Sequence, residues 1–196
     1  RMPGGIGETT MKRLVVGVLL SILVVALHAQ RASALSAGEC ADLSIHVKDL
    51  PEASAARCGS ENFGGGGDTG FGRQEVIQII GVDSVSVISH AAAEGHTYMK
   101  RLGVKDVIGN YDAFESTSDW GDETESSNFA VRRFNAKLAG SGAAVACFGF
   151  VHFAGHVAGA TGYRHIISGF SCSFSAIPPT DARIDALMGS IDYEFE

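Results

Sequence analysis

Several things are missing from this 196-residue chain, and each absence narrows what it can be. The longest apolar run, Leu14 to Leu27, has 14 residues, short of the roughly 18 that a membrane-spanning helix needs. There is no Cys-X-X-Cys pair and no Cys/His spacing of the zinc-finger kind, so the four cysteines do not read as a structural zinc site. No internal repeat appears, which excludes a solenoid or propeller. Beyond residue 34 there is no Asn-X-Ser/Thr site, which favours a bacterial exported protein over a glycosylated eukaryotic one. Tryptophan occurs once, at Trp120.

What is present begins with an address. Lys12 and Arg13 precede the apolar run, and Ala32 and Ala34 supply the small residues that a signal peptidase reads. The pattern predicts a secretory signal peptide over 11–34, cleaved after Ala34, with residues 1–10 an upstream extension outside the fold. No lipid anchor is expected, because Glu39 rather than a small residue precedes Cys40. The remaining 162 residues, 35–196, are enough for one exported domain with its own core. The leader takes with it four of the 15 basic residues and one of the 22 acidic ones, so the mature chain has a formal charge of −10. An acidic surface repels phosphate backbones, so no nucleic-acid partner is expected. No stable membrane anchor is expected after cleavage, and the protein belongs in the periplasm or outside the cell.

Cys40, Cys58, Cys147 and Cys172 all lie in the mature chain. An even count in an exported protein reads as two disulfides, and the sequence-local pairing is Cys40 with Cys58 and Cys147 with Cys172.

The stretch Cys147–Cys172 is the most organised in the chain. Residues 145–175 are rich in aromatic and β-branched side chains and are interrupted by a glycine-bearing break near 158–162. Folded as an antiparallel hairpin about 159 and 160, the pairing sets Cys147 opposite Cys172, Gly149 opposite Phe170 and Phe150 opposite Gly169. A phenylalanine covering a cross-strand glycine compensates its weak packing, and a slip of one residue loses all three pairs. One face then carries Cys147, Val151, Phe153, Val157, Ile166, Phe170 and Cys172 and reads as a core face. The other carries Phe148, Phe150, His152, His156, Tyr163, His165 and Ile167 and reads as mixed, half-solvated or the wall of a cleft.

His152, His156, Tyr163 and His165 are the candidate binding surface. His152 and His156 are four apart on one strand, about 13 Å between Cα atoms, too far for an easy shared metal. His165 with either of them, completed by Tyr163 or an acidic residue, is the feasible version. The metal reading is therefore the alternative, as a metal-binding protein or metal-dependent hydrolase on the His152/His156/His165 face.

Elsewhere, residues 42–50 read as a short helix, and 61–72, with six glycines between Gly64 and Gly72, as a loop or linker. Residues 84–88 read as a strand and 74–80 as strand or helix. Residues 89–103 read as a helix, with His90 and Glu94 one turn apart as an ion pair and His96 nearby. Residues 114–128 read as an acidic loop in which Trp120 either anchors a partner or docks on the core, and 129–140 as a strand. A C-terminal helix over about 180–191 has Thr180 as N-cap and Ile184, Leu187, Met188 and Ile191 as its apolar stripe. Neither a cysteine nucleophile nor Ser168 or Ser171 sits in a catalytic motif, and the glycine run lacks the Lys-Ser/Thr end of a phosphate loop. The fold class is α+β: an antiparallel sheet containing the disulfide-pinned hairpin at about 145–175, with the helix at about 180–191. The expected function is a binding or interaction module, with no enzyme activity, no cofactor, and a protein or small-molecule partner.

Overall fold

The computed structural model describes residues 36–38, 40–48, 53–63, 72–95, 97–157, 162–175 and 177–195. The chain runs β1 (Ser36–Gly38), a 3-10 turn (Cys40–Asp42), β2 (Ile45–Val47), β3 (Ala53–Phe63), β4 (Gly72–Gly81), β5 (Ser84–Ala93) and β6 (Met99–Lys100). Then follow α1 (Val104–Ile108), β7 (Phe114–Ser118), β8 (Glu123–Ser126), β9 (Phe129–Leu138), β10 (Ala144–His156), β11 (Gly162–Ser173), α2 (Asp181–Ser190) and β12 (Ile191–Tyr193). The main sheet is antiparallel throughout, in the order β1-β3-β4-β5-β11-β10-β9-β7, with β6 paired to β11 and β8 to β9. β2 and β12 form a separate antiparallel pair.

The central hairpin has the register that its side chains dictate. Cys147 pairs with Cys172, Gly149 with Phe170, Phe150 with Gly169 and Ala154 with His165. The Cys147–Cys172 disulfide closes it, and Cys40–Cys58 ties the 3-10 turn to β3. At Gly169 the ring of Phe150 lies where a side chain would be, its Cζ 2.7 Å from an ideal Cβ. At Gly149 the expectation is only half met. The notch there is filled by Ile108 and Val104 of α1, 2.6 and 3.2 Å from an ideal Cβ, and Phe170 is not among its nearest neighbours.

Both faces of the sheet are cores. One buries Val104 and Ile108 of α1 against Phe134, Cys147, Val151 and Phe170. The other buries Ile184, Leu187 and Met188 of α2 with Phe129, Phe148, Phe150 and Ile167. The face read as mixed is thus fully buried at its Phe148, Phe150 and Ile167 end, each 0% exposed. Only the end bearing His156, Tyr163 and His165 opens outward. β9 serves both cores: Phe129 and Val131 are buried at one end, Phe134, Ala136 and Leu138 at the other. The two arginines between them, Arg132 and Arg133, mark the change of phase.

α2 starts as its sequence dictates, with the Thr180 hydroxyl accepting the Arg183 backbone N–H. Ile191 is buried but belongs to β12, not to the helix stripe. Three other segments differ from expectation. Residues 89–93 extend β5, and helix begins only at Val104. Alanine favours helix by a few tenths of a kcal/mol per residue. Here that preference is outweighed by ladder pairing on both sides, with β4 and with β11. Ile45–Val47 is a strand because β12 supplies its partner. The acidic stretch 114–128 contains β7 and β8. Ser127 and Asn128, with φ of 49° and 69°, make a two-residue left-handed turn from β8 into β9 that suits hairpin twist. The glycine run 64–71 and His96 lie outside the described residues.

Candidate functional site

Among the described residues, β4 carries an oddity on its core-facing side. Glu75 shares the parity of Ile77 and Ile79, and it is 0% exposed. A carboxylate in that position requires donors on every side. It has them. Oε1 accepts from the Ser44 hydroxyl at 3.0 Å and from Arg73 at 3.1 Å. Oε2 accepts from the Ser44 backbone N–H at 2.9 Å and faces Nδ1 of His90 at 3.2 Å. His90 is the cross-strand neighbour of Glu75 and is 3% exposed. Its other nitrogen, Nε2, lies 3.2 Å from Nδ1 of His165 on β11.

With Glu75 ionised, as its pairing with Arg73 favours, these contacts imply the tautomers. A carboxylate only accepts, so His90 must donate through Nδ1–H and its Nε2 is the acceptor. His165 must then donate through Nδ1–H, which leaves its own Nε2 as an acceptor. Burial holds both imidazoles below the usual histidine range. For His90 the attraction of Glu75 opposes that shift without cancelling it, and Arg73 adds to it. For His165 the neighbouring His90 and Arg164 reinforce it. Both rings are neutral at neutral pH.

Residues 191–195 lie across this network. The Phe195 ring stacks on His165 with centroids 4.2 Å apart and on His90 at 4.6 Å. Tyr193 stacks on Phe195, and its hydroxyl meets Nε2 of His152 at 3.0 Å. The strap is held laterally by β2 and by the Lys48–Asp192 ion pair.

The candidate surface residues therefore separate. His152 is half-buried with both nitrogens engaged: Nδ1 donates to the Asn128 carbonyl at 2.8 Å, and Nε2 accepts from Tyr193. It pins the strap and the β8–β9 turn. His156 is exposed and meets Tyr163 edge-on, with centroids 5.6 Å apart. His165 is half-buried and is committed to His90. Among the described residues no group of three or more His, Cys, Asp or Glu is placed to hold a metal ion. The metal alternative on the His152/His156/His165 face loses its geometry, because the rings are turned to different partners. The His90–Glu94 pair also dissolves, since on a strand those residues are no longer one turn apart, and His90 takes Glu75 instead.

Glu75, Ser44, Arg73 and Phe195 were missed as site residues, and His90 was assigned the wrong partner. The available signal was Glu75 itself, an acidic residue at a core parity in "QEVIQII". Trp120 docks on the core, stacked on Phe134 at 4.3 Å with its indole N–H donated to the Thr117 hydroxyl at 3.3 Å. Ser168 is bonded to Tyr111 and Ser171 to Ser86. An open, largely apolar cavity of about 280 Å³ lies between the 3-10 turn, β2, β3 and β4, lined by Ala41, His46, Ala56, Ile77 and Ile79 among others.

No helix among the described residues is long and apolar enough to cross a membrane. The chain matches no protein-family model, and neither a curated protein nor a solved structure resembles it significantly. What is shown is a small, disulfide-stabilised α+β domain built on an antiparallel sheet.

Proposed function

We propose that this chain is an exported binding module, and that its binding surface is the open end of the histidine-bearing face, formed by His156, Tyr163 and His165 with His152 behind them. The observation that carries this reading is the support given to His165. A partly exposed side chain is held in one orientation and one tautomer by a buried Glu75–His90 pair. Second-layer hydrogen bonds of this kind preorganise a surface group for recognition. Export is assigned to the leader over 11–34, with a mature domain over 35–196 in the periplasm or outside the cell. The two disulfides support that, since such bonds persist in oxidising compartments.

The test is to express the full chain with its own leader and to recover the exported fraction without reductant. The intact mass should correspond to a chain starting at Leu35 and about 4 Da lighter than its reduced form. Compounds and proteins retained by that material should be lost when His156, Tyr163 and His165 are replaced together. Cytoplasmic retention with free thiols sinks the export assignment. Unchanged retention by the triple variant sinks the surface.

A further inference from the structure

One acceptor in the histidine relay is left over. Every other polar atom along it has a partner: both Glu75 oxygens, both His90 nitrogens and Nδ1 of His165. Nε2 of His165 has none among the described residues. No fully buried side-chain nitrogen or oxygen among them lacks a partner, so this atom, on a half-buried residue, is not sealed in the interior. An imidazole free in water carries its proton mainly on Nε2. Here the relay puts the proton on Nδ1 and presents a bare lone pair outward.

The surroundings say what that lone pair can take. Its partner must be a hydrogen-bond donor, because a neutral imidazole nitrogen without a proton only accepts. A cationic donor is disfavoured by Arg164 near His165, while the charge of Arg73 is offset by its pairing with Glu75. The directly paired cross-strand neighbours of His165 are Ala154 on β10 and Ala92 on β5, and His90 on β5 is the ring that engages its Nδ1. Flat rings border the position: Phe195 lies parallel to His165 at 1°, and Tyr193 stacks on Phe195 in turn.

We propose that Nε2 of His165 is the ligand-contacting atom of an acceptor site, built on Glu75 and His90, that takes a neutral hydroxyl carried on an aromatic ring. The proposal rests on the binding-surface reading above and names its chemistry. Glu75 and His90 are positioning residues. His165 makes the hydrogen bond, accepting from the ligand hydroxyl, while the ligand ring lies beside the half-buried Phe195.

The experiment uses the full, disulfide-intact chain labelled with nitrogen-15. Side-chain histidine spectra at pH 7 should show His165 as the Nδ1–H tautomer. Phenol should shift its Nε2 resonance saturably. Anisole, the same ring with the hydroxyl methylated, should not. His165→Phe should weaken phenol binding about tenfold, roughly the worth of one hydrogen bond. His90→Gln should keep both the tautomer and the phenol response, because its amide can donate to Glu75 and accept from His165. If His165→Phe proves unstable, the wild-type tautomer and the contrast between phenol and anisole decide the proposal by themselves. An Nε2–H tautomer in the wild type, or an equal response to anisole, overturns the proposal. If it fails in this way while the triple surface variant still loses its retained partner, the binding-surface reading survives and only the chemistry assigned to it is wrong.

Discussion

Nε2 of His90 and Nδ1 of His165 lie 3.2 Å apart although 75 residues separate them in sequence. The contact joins two paired strands, and it extends the buried Glu75 carboxylate outward by one more ring. It also sets how the protein should respond to acid.

Stability should fall as the pH drops below about 6.5, the ordinary histidine value. Burial holds His90 and His165 below that value in the folded state. In the window between the folded and unfolded values the unfolded chain binds more protons, so acid favours unfolding. The loss levels off once the folded imidazoles are protonated as well. Urea midpoints at pH 7.5, 6.5 and 5.5 should decrease in that order, and His90→Gln should flatten the trend. A wild-type midpoint that rises on acidification contradicts the assignment of neutral rings.

Glu75→Ala should cost about 3–5 kcal/mol, the usual penalty for removing one member of a buried charged network. It leaves the Nδ1–H of His90 and two donors of Ser44 without their acceptor. Ser44→Ala should cost about 1 kcal/mol, since only the hydroxyl bond is lost. Denaturant unfolding of the two variants measures both. A loss below about 1 kcal/mol for Glu75→Ala means that the network adds little beyond its packing.

Two glycines should answer oppositely to alanine. At Gly149 the new methyl group meets Ile108 at 2.6 Å, so α1 must lift, at about 1–3 kcal/mol. At Gly189, in the last turn of α2, nothing lies within 4 Å. Alanine there should stabilise by about 0.5 kcal/mol through helix propensity. Thermal melts of the two single variants should move in opposite directions.

The two disulfides should differ in their resistance to reductant. Cys147 and Cys172 are buried at 1% and 0% exposure, whereas Cys40 is exposed. Mild reductant followed by thiol alkylation and peptide mapping should label Cys40 and Cys58 first. Thiolate attack needs access to a sulfur atom, and only that bond offers it. Equal labelling would mean that the central hairpin opens as readily as the edge of the sheet. Replacing either pair by alanine should cost about 3 kcal/mol.

What the sequence determined by itself was local and periodic. Side chains in a strand alternate with period two, so the Cys147/Cys172 and Phe150/Gly169 pairs select one register, and the hairpin adopts it. Thr180 followed by an apolar stripe starts a helix for equally local reasons. Which faces were covered was not local. Phe148 and Ile167 read the same whether solvated or buried until α2 and residues 191–195 close over them. The alanine-rich end of β5 is a strand only because β4 and β11 pair with it on either side. The candidate site depends on tertiary structure most of all. Glu75 and His90 are joined by a hairpin, His90 and His165 by an adjacent strand, and Ser44 and Phe195 come from opposite ends of the described chain. A hydrogen-bonded relay needs atoms placed to a few tenths of an ångström, and spacing along the sequence carries no such distances between strands.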